Sequence, residues 1–117
     1  HGDKGKLKFG EDFMNIVDLG ELLEDKCQGK HIILASCKTL SISSNDLESF
    51  LKITKARSVS GYQKNADWIE SSAFDCMLMT NLLYKRTPSE AYAWLSKRCK
   101  GLIDDYGFIM KFRSNKA

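Results

Sequence analysis

The chain has 117 residues, 43% hydrophobic and 28% charged, the profile of a single globular domain spanning residues 1–117. Its 18 basic and 15 acidic residues leave a net charge of +3, too balanced to argue for nucleic acid. No apolar run approaches the ~18 residues of a membrane-spanning helix, so no membrane partner is expected.

In chain order, residues 6–9 alternate between Gly5 and Gly10, as in a short strand or hairpin arm. Ile16, Leu19, Leu22 and Leu23 recur at helical spacing, which predicts a helix over about 17–26, closed by Gly29. Residues 31–35, with β-branched Ile32 and Ile33, are too short a run for a helix, so they read as a central strand. A polar loop over 38–44 leads to Asn45 and Asp46, expected N-cap residues for a helix with Leu47, Phe50 and Leu51 on one face. A strand over 57–60 ends at Gly61. The longest helical pattern, about 66–85, has a stripe of Ile69, Ala73, Cys76, Met77 and Thr80, widened by Phe74, Leu78, Leu82 and Leu83.

Thr87-Pro88-Ser89-Glu90 is a strong helix start, with an N-cap Thr, Pro in the first turn and Glu three residues after the cap. That helix carries Ala91, Trp94 and Leu95 and is expected to reach Cys99 and Leu102. Phe108, Met110 and Phe112 alternate along a final strand. Strands separated by helices of these lengths predict an α/β fold with a mainly parallel sheet and helices on both faces.

The four cysteines, Cys27, Cys37, Cys76 and Cys99, form no CxxC and no Cys/His cluster, so neither a metal nor another cofactor is expected. Free thiols in a reducing, cytoplasmic compartment are the expectation. Cys76 and Cys99 fall within amphipathic patterns, where buried and inert thiols are usual. Cys37 differs, because the apolar run Ile32-Ile33-Leu34-Ala35 delivers Ser36-Cys37 to a strand's carboxyl end. In a parallel sheet those ends form the binding crevice. Gly61-Tyr62 would occupy the next strand end, and His1-Gly2 a third if a strand precedes it.

This arrangement suits thiol attack on a carbonyl. His1 would be general base and Cys37 nucleophile, with the backbone N–H groups of Gly2 and Cys37 facing the oxyanion. His31 is excluded as the base, because extended geometry puts it about 20 Å from Cys37. Ser36, Gly61 and Tyr62 would line the substrate side. Asp67 is either an acid favouring a helix N-terminus or a rim residue selecting a basic P1 side chain. Tyr62 and Trp68 are either pocket walls or, the favoured reading, core at the helix–sheet junction.

His-Gly followed by an apolar strand ending in Ser-Cys resembles the caspase-like cysteine peptidase superfamily. The remainder is similar to its bacterial CHAT-type branch, through residues 54–62, Asp67-Trp68-Ile69-Glu70 before a long helix, and Thr87-Pro88-Ser89-Glu90-Ala91. The resemblance implies a three-layer α/β/α sandwich lacking its first strands, a His1/Cys37 dyad and oxyanion donors at Gly2 and Cys37. It also implies a protein or peptide substrate and room for a regulatory partner domain. A catalytically inactive interaction module on the same scaffold is the alternative.

Overall fold

The computed structural model describes residues 2–9, 12–84 and 86–113. Three short strands, β1 (Gly2–Asp3), β2 (Lys6–Phe9) and β3 (Asp12–Asn15), form an antiparallel meander. Asn15 then caps α1 (Ile16–Leu22) by accepting from the Asp18 N–H, satisfying one of the donors a helix start leaves open.

The second sheet has the order β4-β5-β6, from β4 (His31–Leu34), β5 (Ser58–Tyr62) and β6 (Phe108–Phe112). β5, not the strand at 31–34, lies in the middle. All five of its residues are buried, and small Ser58, Ser60 and Gly61 let neighbouring elements come close. Between β4 and β5 runs α2 (Ser44–Thr54), capped by Ser43, two residues before the expected Asn45. Leu47, Phe50 and Leu51 are buried on its inner face, as their spacing predicts.

After β5 the chain forms α3 (Trp68–Leu83), α4 (Pro88–Arg98) and α5 (Lys100–Tyr106). The Thr87–Glu90 capping box is complete. α3 turns another face inward than the expected stripe: Phe74, Leu78 and Asn81 are buried, whereas Ile69, Cys76 and Thr80 are exposed.

Among the described strands pairing is mostly antiparallel, in place of the expected mainly parallel sheet. Only β4–β5 is parallel; β6 runs against β5, with Tyr62 opposite Phe108. The cause lies in the helices between them. α3 descends from the Tyr62 end towards the start of β4, where Leu82 and Leu83 share a groove with Lys30 and His31. α4 and α5 bring the chain back, and Tyr106 donates a hydrogen bond to Glu70 in the first turn of α3. Gly107, in the left-handed region at φ 61°, ends α5 and drops the chain into β6 from the end that β5 had reached.

Alternation along the strands sends Ile32, Val59 and Ile109 to one side and Ile33, Tyr62, Phe108 and Met110 to the other. The sheet therefore separates an aliphatic cluster under α1 and α2 from an aromatic one under α3, α4 and α5. The mixed α/β character expected from the sequence is present, with five helices and two small sheets among the described residues. No helix among them is long and apolar enough to cross a membrane.

Candidate active site

Cys37 follows β4 at the end where β5 also finishes. The backbone turns sharply there: Ser36 N–H donates to Leu34 C=O at 2.9 Å, and the Thr39 hydroxyl donates to Ser36 C=O at 3.2 Å. Lys38 sits at φ +61°, a conformation that side chains with a Cβ adopt only at a cost. The Ser41 N–H donates to its C=O at 3.0 Å, and two longer-range backbone hydrogen bonds hold it in place. Lys38 N–H donates to Lys64 C=O, and Gly5 N–H donates to Lys38 C=O, each at 3.2 Å. Leu40 N–H completes the seam on Tyr62 C=O at 3.1 Å.

The Cys37 thiol is thereby aimed at the segment entering α3. Its sulfur accepts the Ala66 N–H at 3.3 Å and donates to the Ala66 C=O at 3.5 Å. A thiolate would keep the first contact and lose the second. Cys37 is half-buried and lines an open pocket of about 200 Å³ with Ala35, Ser36, Tyr62, Ala66, Trp68 and Ser71. Among the described residues the Cys37 N–H meets no hydrogen-bond acceptor, so it is a donor in reserve beside the sulfur.

Tyr62 walls the pocket and also belongs to the aromatic core. Its hydroxyl donates to Asp75 Oδ1 at 2.6 Å. Burial, reinforced by that carboxylate, raises the Tyr62 pKa far above the usual phenol range. Burial also pushes the Asp75 carboxyl upward, while the Tyr62 hydrogen bond opposes the shift. Asp75 was not among the residues singled out from sequence; its place two helical turns after Trp68 was the available signal.

Ser36, Cys37 and Tyr62 thus meet in one pocket. Gly61 is not among its lining residues, and its role is steric. A Cβ there would lie 3.0 Å from Leu34 O and 3.0 Å from the Leu40 side chain. Asp67 caps α3, its Oδ1 accepting from the Ile69 and Glu70 N–H groups at 3.0 Å. The expected choice of core for both aromatic residues splits: Tyr62 is 2% exposed, whereas Trp68 is 76% exposed and stands at the rim. His1 lies outside the described residues. Gly2 pairs with Leu7 in β1, three residues before the Gly5 that touches the Cys37 turn. His31, at the other end of β4, bonds the Ser58 hydroxyl at 2.7 Å.

Of the remaining cysteines, Cys76 is exposed, contrary to the buried thiol expected from its helical spacing, and Cys27 and Cys99 are half-buried. Among the described residues no three His, Cys, Asp or Glu side chains gather as a metal site.

A mixed α/β domain with a half-buried thiol in a strand-end pocket is the class this geometry defines. The chain belongs to a family of unknown function (DUF6642), whose model matches residues 1–95 and so takes in the whole pocket. No curated protein and no solved structure matches it.

Proposed function

We propose that this domain is a caspase-like cysteine peptidase that hydrolyses peptide bonds through a His1/Cys37 dyad. The observation that carries the reading is the Cys37 thiol, half-buried in an open pocket at the shared carboxyl end of the parallel pair β4–β5. That is where a parallel sheet presents a reacting group. Helices on both faces of the sheet agree with the caspase-like three-layer sandwich.

In this reading His1 takes the thiol proton and Cys37 Sγ attacks the scissile carbonyl carbon. The oxyanion is met by the N–H groups of Cys37 and Gly2. Collapse breaks the C–N bond, and the amine leaves with the proton from His1. Water, deprotonated by the same imidazole, then cleaves the thioester and frees Cys37. The substrate is a protein or peptide, no cofactor is consumed, and a regulated role in a bacterial cytoplasm follows by analogy with the CHAT-type branch.

The test is alkylation by iodoacetamide near pH 7, followed by peptide mapping. Cys37 should react fastest of the four thiols, and His1→Ala should slow it. Peptide cleavage should vanish in Cys37→Ala. Labelling of Cys37 no faster than that of exposed Cys76, unaffected by His1→Ala, would overturn the dyad. The interaction-module reading would then stand, favoured by the exposed Trp68 at the rim.

A further inference from the structure

We infer that the groove between α3 and α4, away from the Cys37 pocket, is a binding site for a carboxylate carried on an apolar body. The groove encloses about 330 Å³. Met77 and Cys76 on α3, Tyr84 beyond it and Trp94 on α4 form its walls. Such a surface receives hydrocarbon, but Arg86 lines it too, and a second cation, Arg98, lies over the same Trp94 ring from outside the lining. The guanidinium of Arg98 lies 4.4 Å from the Trp94 ring centroid and that of Arg86 lies 5.7 Å from it.

Two like charges gathered on one indole repel each other, and the ring offsets only part of that cost. Among the described residues neither arginine has a carboxylate within ion-pair distance, the two ion pairs there being Lys100–Asp104 and Lys111–Glu48. Glu90 feels Arg86 electrostatically, yet its Oε1 already accepts from the Thr87 N–H and hydroxyl.

Arg86 is held in place for a partner. Asn81 is only 5% exposed; its Nδ2 donates to Met77 C=O at 2.8 Å, and its Oδ1 accepts from Arg86 Nη1 at 2.8 Å. A buried amide that uses its side-chain oxygen to fix one edge of a guanidinium leaves the remaining N–H donors of that planar group for a ligand. A carboxylate matches such a fork through two parallel hydrogen bonds. The apolar walls select an organic acid over a bare oxyanion. The ligand is therefore an acidic peptide side chain next to an apolar residue, or a free arylalkyl carboxylic acid of the same shape.

Binding is read from Trp94 fluorescence in a Trp68→Phe background, where Trp94 is the sole tryptophan, and from protection of exposed Cys76 against alkylation. The probes are N-acetyl-Phe-Glu amide, its Phe-Gln counterpart, 3-phenylpropanoate and inorganic phosphate. The Glu peptide should saturate, with the Gln counterpart at least ~10-fold weaker, matching the loss of a charge-assisted pair. Arg86→Gln should weaken the Glu peptide by a similar factor, with its thermal transition checked to confirm folding. Arg98→Gln, on the Trp94 ring but outside the groove's lining, should weaken the Glu peptide by less than Arg86→Gln does. Equal binding of peptide and 3-phenylpropanoate assigns a free acid; preference for the peptide assigns a protein partner. Equal Glu and Gln binding, tighter phosphate binding, or no saturation by ~10 mM of either carboxylate overturns the site.

Discussion

The two sides of the β4-β5-β6 sheet solve the same burial problem with different materials. Under α1 and α2 the core is aliphatic, with Phe50 the one buried ring among the described residues there, beside Ile16, Leu34, Leu40, Leu47, Leu51 and Val59. Under α3, α4 and α5 it is built on rings. Tyr62, Phe74, Tyr106 and Phe108 meet at centroid separations of 4.7–6.3 Å, every pair tilted or edge-on. Aliphatic side chains adapt to their neighbours, whereas ring pairs hold preferred angles. The thiol turn is anchored on the adaptable side through Leu40, and its pocket wall, Tyr62, belongs to the stiffer side. A thiol backed by adaptable packing and faced by a rigid wall can adjust its approach without losing the shape of the pocket.

The largest expected effect breaks the ring side. Phe74→Ala should cost about 3–5 kcal/mol of unfolding free energy, because a fully buried ring leaves a cavity its neighbours cannot close. Leu47→Ala on the aliphatic side should cost less, nearer ~2–3 kcal/mol. Urea denaturation of the two variants checks the order, and a reversed order would remove the contrast. Gly61→Ala comes next at about 1–3 kcal/mol, from crowding against Leu34 and Leu40. It should also shift the Cys37 alkylation rate, since the same two residues flank the turn.

The Tyr62–Asp75 pair sharpens the comparison through pH. Burial raises the folded-state pKa of Asp75 above its unfolded value near ~3.9. The folded form then holds the proton more tightly than the unfolded chain. The contribution to stability is greatest below that unfolded value and is lost as pH rises towards the raised folded value. The stability difference between the native chain and Asp75→Asn should therefore fall with rising pH across that window and level off above it. A difference that does not vary with pH would mean the carboxyl is not desolvated. The smallest effect is Thr87→Ala, about 1 kcal/mol from the lost α4 cap, read as a lower thermal midpoint.

What local physics determines was legible in the sequence. The Thr87–Glu90 cap, the strand at Phe108–Phe112, the buried trio Leu47, Phe50 and Leu51, and Ser36-Cys37 at a strand end all stand where residue pattern places them. What depends on longer-range geometry was not. α3 is apolar on too many sides for periodicity to select its inner face, so the stripe through Ile69 and Cys76 predicts the wrong side and gives no sign of buried Asn81. The reversed direction of β6 depends on α4 and α5 returning the chain to the end that β5 had reached, a relation no window of residues contains. Core at the helix–sheet junction is the favoured reading of Trp68 from sequence, yet as the first residue of α3 it stands 76% exposed.

The seam around Cys37 is stitched by main-chain groups of Gly5, Lys38, Lys64, Leu40 and Tyr62. The side chains of Lys38 and Lys64 take no part in those stitches, so position 64, at the loss of its bond to the Asp104 C=O, and position 38, within the limits of its positive φ, can be varied while the sulfur stays in place. A library at 38 and 64, restricted at 38 to residues tolerant of positive φ such as Gly and Asn, could repaint the charge around the pocket from basic to acidic. The pocket's electrostatics could then change around a thiol whose position does not.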